Sequence, residues 1–296
     1  MSNIDIKNPA PIAFFVYKRP IHTKRVIEAL AANDLASESD LFIFSDAPMD
    51  DNAREDVLAV RELIRNIKGF RSVTITERET NYGIAKNIID GVTEICDRFG
   101  RVVIVEDDIL TLSSFLRFIN EGLEKYKDNE KVFAVNGFWP LKPQPGDDKA
   151  LFLKHWGCLG WGTWKRAWDF FDYDVSDAAE KLLNDEVLAW DFSMQGRTNG
   201  TDMLLRQFRG KLKDWGNQWW WAIFSQNGIS LYPPHSLTDH IGFDSTAWHA
   251  DESAKWMCQN VDLSFDAPIT LPDSFEIDEQ KQEEYADFYY WGSCPA

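Results

Sequence analysis

The run Arg101-Val-Val-Ile-Val105-Glu106-Asp107-Asp108 constrains this chain more than any other stretch. Four β-branched residues in succession read as a strand buried on both faces, which requires a sheet with a layer on each side. Three carboxylates follow at once, where such a strand leaves its sheet. Adjacent like charges repel, and each resists desolvation. A divalent cation relieves both costs, because Mg2+ and Mn2+ take oxygen ligands, usually one or two carboxylates plus substrate phosphates. The run predicts a metal site that holds a phosphorylated substrate at the C-terminal edge of a sheet. The plainer alternative is a solvated acidic turn.

The flanking sequence supports a covered sheet. Apolar segments at 12–17, 41–44, 73–76, 101–105 and 132–135 read as strands. Between them lie helical patterns: a helix entered at Pro20, a stripe of Val57, Val60, Ile64 and Ile67, a stripe of Ile84, Ile88, Val92 and Ile95, and a helix over 115–126. Alternating strands and helices predict an α/β fold, a mostly parallel sheet flanked by helices. Ligands of such sheets sit at the carboxyl ends of strands. Lys18-Arg19, Asp46 and the acidic triplet all fall at such ends.

Composition divides the chain after residue 138. All 13 tryptophans lie at Trp139 or later. Residues 1–138 read as the nucleotide-binding α/β part, and 139–296 as an aromatic-rich, acceptor-binding part of the same catalytic domain. Asp177, with Glu180 three residues on, predicts a capped helix running to about residue 188. Four scattered cysteines form no CxxC pair, which fits reduced thiols and a cytoplasmic location. A signal-peptide pattern and an apolar run of membrane-spanning length are both missing. Any membrane association would come through a lipid-linked acceptor or a partner. The net charge of -17 argues against nucleic acid or an anionic bilayer, but leaves room for an anionic small substrate held by a local positive site.

Several residues have both a plain and a functional reading. Arg19 is a surface cation or a nucleotide contact, since guanidinium suits phosphates. Asp46, in Ser45-Asp46-Ala47-Pro48, is an Asx turn or the acceptor of a pyrimidine imino hydrogen. Lys86 and Asn87 open a helix whose N-terminus could hold nucleotide or phosphate. Gly160 and Trp161, with Trp219, are core or an acceptor pocket. Asp214 is a helix-start acid or a general base; Asp239 and Asp244 are weaker candidates. His249 is a packed histidine or a metal or diphosphate contact.

The strand followed by Glu106-Asp107-Asp108 resembles the acidic metal motif of GT-A (Rossmann-like) glycosyltransferases, and is similar to the inverting N-acetylglucosaminyltransferase-I type. The block at 156–164, Trp-Gly-Cys-Leu-Gly-Trp-Gly-Thr-Trp, resembles one shared by bacterial GT-A enzymes of polysaccharide gene clusters. The block at 240–249, His-Ile-Gly-Phe-Asp and then His249, resembles another, with His240 where asparagine is expected. The resemblance implies a metal-dependent inverting transferase that moves a sugar from a nucleotide diphosphate sugar, with UDP favoured, to a hydroxyl of a glycan or glycolipid. It implies Arg19 and Asp46 at the base, Asp107 at the ribose, Asp108 on Mn2+ or Mg2+, and Asp214 as base. Glu106 would face the sugar or orient its neighbours. Two other classes compete. A sugar nucleotidyltransferase usually has an N-terminal glycine-rich phosphate loop, and the first 68 residues contain no glycine. A non-catalytic carbohydrate-binding protein suits the tryptophans but leaves the strand-end carboxylates without a purpose.

Overall fold

The computed structural model describes residues 4–142, 148–243 and 268–293. The first half runs β1 (Ile12–Val16), α1 (Pro20–Ala31), β2 (Asp40–Ser45), α2 (Arg54–Ile64), β3 (Ser72–Glu77), α3 (Gly83–Phe99) and β4 (Arg101–Glu106). Then come β5 (Ile109–Thr111), α4 (Phe115–Lys125), β6 (Val132–Asn136), β7 (Leu151–Leu153), β8 (Trp161–Trp164) and α5 (Lys165–Trp168). The rest is α6 (Ser176–Asn184), α7 (Glu186–Phe192), α8 (Gly200–Phe208), α9 (Gly216–Ser225), β9 (Ile229–Tyr232), β10 (Thr238–His240) and α10 (Glu279–Ser293).

Eight strands form one sheet in the order β3-β2-β1-β4-β8-β6-β9-β7. The first four are parallel, β8 runs antiparallel between β4 and β6, β9 is parallel to β6, and β7 is antiparallel to β9. The predicted α/β architecture holds, and the sheet continues past residue 138 through β7, β8 and β9. β5 and β10 make a separate two-stranded antiparallel sheet.

Alternate side chains of the central strands enter opposite cores, which is why these strands read as continuous apolar runs. Ile12, Phe14, Val16, Val103 and Val105 join one core with residues of α1, α2 and α4. Ala13, Phe15, Val102 and Ile104 join the other with Ile88, Val92 and Ile95 of α3. The predicted α3 stripe loses Ile84, which is exposed. The predicted capped helix also changes. Asp177 pairs with Lys181, and the chain breaks at Asp185, whose carboxylate caps α7 by accepting from Val187 N and Leu188 N, each at 3.0 Å.

The second core takes in six of the tryptophans. Trp161 stacks on Trp215 with ring centroids 5.9 Å apart, and Trp156, Trp168 and Trp219 close around it. Trp161 and Trp219 are wholly buried, so neither lines an acceptor pocket here. β8 runs through the middle of the sheet and α9 packs on its face, so these large rings fill the space between layers. No helix among the described residues is long and apolar enough to cross a membrane.

Candidate active site

From β1 the chain steps outward to β2 and β3, while β4 lies on the other side of β1. The strand order therefore reverses between β1 and β4, and a crevice at such a point is where open α/β sheets bind ligands. Phe15 is in register with Glu106, so the segments leaving both strands share one edge. Tyr17 N donates to Asp107 Oδ2 at 3.1 Å. Arg19 Nη1 donates to Asp108 Oδ2 at 2.8 Å, and Nη2 to the carbonyl of Gly242 at 3.3 Å.

The small sheet delivers the remaining partners. His240 pairs with Ile109 across β10 and β5, which sets its Nε2 3.4 Å from Asp108 Oδ2. Ile241 N donates to the carbonyl of Asp108 at 2.9 Å. Gly242 then passes so close that a Cβ there would stand 2.4 Å from Asp108 Oδ2 and 2.9 Å from Arg19 Nη1. Gly242→Ala must displace the Arg19–Asp108 pair and is expected to cost about 1–3 kcal/mol of stability by overcrowding. A melting temperature equal to that of the parent protein would show that this loop does not press on the pair.

Burial and mutual repulsion shape the acids. Burial, then the charges of Asp108, Asp107 and Asp214, hold the Glu106 carboxyl well above the usual carboxylate range. Burial and the Asp108 charge raise Asp107 to about 7. Asp108 feels the same burial, but His240 and Arg19 outweigh it and hold this carboxyl low. Protonated Asp107 thus favours the folded state. That contribution is complete below about pH 4 and is lost as pH rises towards 7. In metal-free buffer, Asp107→Asn is expected to raise stability at pH 7.5 by about 1–3 kcal/mol, a figure reduced for the partial exposure of the carboxyl, and to leave it unchanged near pH 4. Thermal melts at the two pH values test this, and an equal shift at both would contradict it.

Asp214 sits at the start of α9. Its carboxylate accepts from Gly216 N at 3.3 Å, Asn217 N at 3.1 Å and Asn217 Nδ2 at 2.7 Å. The side-chain amides of Gln207 and Gln218 hold its carbonyl at 3.3 and 2.9 Å. The helix-start reading of this residue is met, and its charge also reaches Glu106. No described residue donates a hydrogen bond to the Glu106 carboxylate.

Other expected site residues are engaged in the scaffold. The buried Asp46 carboxylate accepts from Ala47 N and Tyr82 N at 2.8 Å, Gly83 N at 2.9 Å and Asn81 Nδ2 at 3.2 Å. It caps α3 from across the sheet edge and does not form the local turn, since Pro48 has no N–H to give, and its oxygens are engaged by these donors. Asn87 is buried, accepts from Arg78 Nε at 2.9 Å and donates to the carbonyl of Phe44 at 3.4 Å. Lys86 pairs with Asp90 one turn on and lies 4.4 Å over the Tyr82 ring. Gly160, at φ +79°, lets the backbone meet β10, where a Cβ would come 2.8 Å from Thr238 Cγ2; this is packing and not ligand approach. Asp239 lies in β10 opposite Leu110. His249 and Asp244 lie outside the described residues. His240 and Gly242 went unrecognised as site residues from sequence, although the Ile-Gly-Phe block that contains Gly242 was the available signal.

Among the described residues, no three His, Cys, Asp or Glu side chains converge to hold a metal. Asp108 with the His240 imidazole still offers the oxygen and nitrogen donors that suit Mn2+, and substrate phosphates complete such sites. The donor set fits a partial site.

Fold and site together define a Rossmann-like α/β protein with an acidic and basic cluster at its switch point. No family model matches the chain, and none of the curated proteins matches it by sequence. Among solved structures it is similar to the mannosyltransferase PcManGT from Pyrobaculum calidifontis in complex with GDP-Man and Mn2+, at a TM-score of 0.38 and 13% identity. The match covers 55% of this chain and 46% of that enzyme, less than half its length, and assigns neither family nor activity.

Proposed function

We propose that the protein is a metal-dependent inverting glycosyltransferase of the GT-A type, using a UDP-sugar donor and a hydroxyl acceptor on a glycan or glycolipid. One observation carries the reading: Arg19, Asp107 and Asp108 meet at the crevice between β1 and β4, with Glu106 and Asp214 beside them. The nucleotide and a role in surface polysaccharide synthesis rest on the sequence resemblance alone.

In this scheme Asp107 accepts a ribose hydroxyl. Asp108, aided by His240, would hold a divalent ion, which would neutralise the departing diphosphate. Arg19, released from Asp108, turns its guanidinium to the same phosphates. Asp214 removes the proton of the acceptor hydroxyl, which attacks the anomeric carbon from the face opposite the diphosphate. A second assignment puts the base at Glu106, whose carboxylate carries no hydrogen bond from a described residue while Asp214 carries three.

Titration calorimetry with UDP tests the reading, and binding that strengthens on adding Mn2+ is expected. A carbohydrate-binding protein would bind glycans and ignore UDP. A nucleotidyltransferase would release pyrophosphate from UTP and a sugar phosphate. Either result, or no nucleotide binding with Mn2+ present, ends the proposal.

A further inference from the structure

The segment that leads into Asp214 carries a feature that the catalytic scheme does not use. Residues 206–213, Arg206-Gln-Phe208-Arg209-Gly210-Lys211-Leu-Lys213, hold four cations and no acid, in a chain with 48 acidic and 31 basic residues. With acids in such excess, exposed cations commonly find a partner, as Lys24 does in Glu28, Arg98 in Glu94 and Lys181 in Asp177. Arg209, Lys211 and Lys213 are all exposed, and no described residue pairs with them. Cations do gather at helix C-termini on their own account. That accounts for Arg206, 4.0 Å from Asp202. Lys211 and Lys213 lie beyond the last turn of α8.

The segment is built, not loose. Lys211 N donates to Arg206 O and Gly210 N to Gln207 O, each at 2.8 Å, and Gly210 has φ +68°. This is the paired-bond helix ending that glycine permits. It turns the chain toward Asp214, whose carbonyl is then clamped by Gln207 and Gln218. Five residues span at most about 17 Å when fully extended, so all three unpaired cations lie within that reach of Asp214. Phe208, exposed by 48%, sits among them. In the scheme above Asp214 meets the acceptor hydroxyl, so this charge lies on the chain beside the residue that would meet the acceptor.

We propose that residues 206–213 form a cationic lip for a phosphate-bearing, lipid-linked acceptor, with Arg209, Lys211 and Lys213 on the phosphates and Phe208 against the first carbons of the lipid. The inference rests on the glycosyltransferase reading for the word acceptor, but not for the binding itself. Phosphates pair well with guanidinium and ammonium groups, and an apolar ring beside them suits an amphiphile better than a free sugar acid. The overall charge of -17 does not oppose this, because a local site governs a small anion.

The test uses the full chain with UDP and Mn2+ present, and titrates farnesyl diphosphate, farnesol and a uronic-acid trisaccharide. Farnesyl diphosphate is expected to bind at least about tenfold tighter than farnesol, with affinity falling as salt rises. The triple variant Arg209→Ala, Lys211→Ala, Lys213→Ala should lose that preference. The charge-keeping triple Arg209→Lys, Lys211→Arg, Lys213→Arg should retain it, which separates charge from folding. Equal binding of the two farnesyl probes, an unaltered alanine triple, or stronger binding of the trisaccharide overturns the proposal. If UDP fails to bind while the diphosphate preference still depends on the lip, the transferase reading falls and the lip stands. If UDP binds with Mn2+ and the preference is absent, the lip alone falls.

Discussion

Asp108→Ala is expected to abolish Mn2+-dependent binding of a UDP-sugar and to reduce transfer by more than about 10³-fold, since a fixed cation aimed at developing charge is usually the largest catalytic contribution. Asp108 holds the position where the Arg19 guanidinium and the His240 imidazole converge on one carboxylate oxygen. Without that carboxylate an ion loses the oxygen ligand that stands beside the His240 imidazole, and the Arg19 charge repels it. Removing one partner from a half-buried pair also strands the other, so a stability loss of about 1–3 kcal/mol should accompany the variant. Circular dichroism and a melting curve separate that loss from the chemical one. Asp108→Asn keeps the shape and gives a cleaner comparison. Donor binding that is indifferent to Mn2+ in the parent protein and unchanged in Asp108→Ala would sink the metal assignment and leave Arg19 as the sole counter-charge.

The legible and illegible parts of this fold divide along sequence distance. The five strands from β1 to β4 and β6 were readable, because β-branched and aromatic runs leave few alternatives once both faces are buried. Their ends differ from the expected ones by one residue or so, as when β2 extends to Asp40 and Ser45. The placement of β8 between β4 and β6 was not readable, since nothing local in Trp161-Gly-Thr-Trp164 encodes a partner strand. The same limit hid His240, which reaches Asp108 only through the pairing of β10 with β5. Asp46 misled for a different reason. A carboxylate at a strand end looks alike whether it faces a ligand or caps a distant helix, and here the N–H groups of Tyr82 and Gly83 claimed it. The tryptophans misled because chemistry that suits sugar stacking also suits a layer of core between β8 and α9. The acidic triplet drew attention for a physical reason, because burying three adjacent carboxylates is costly.

Asp214→Asn is expected to lower turnover by about 10²–10⁴-fold while leaving the affinity for UDP and Mn2+ unchanged, the range typical of a lost general base. The substitution keeps an oxygen to accept from the N-terminus of α9, but turns an amide N–H toward at least one donor that the carboxylate now satisfies. A modest loss of about 0.5–2 kcal/mol from weakened capping should appear in melting curves. It would not by itself change turnover by orders of magnitude at a temperature where the protein is folded. Glu106→Gln is the necessary companion. Both carboxylates lie close enough to repel, yet only Asp214 is oriented by three donors, while Glu106 is held toward its protonated form by burial and by its acidic neighbours. A carboxylate already aimed by three donors needs no reorientation, whereas Glu106 in its protonated form must first release a proton, which favours Asp214. If Asp214→Asn costs less than about tenfold and Glu106→Gln costs more than about 10²-fold, the proton goes to the buried acid. The pH–rate profile should then rise with ionisation of that raised carboxyl, and Asp214 would be left with the helix start alone.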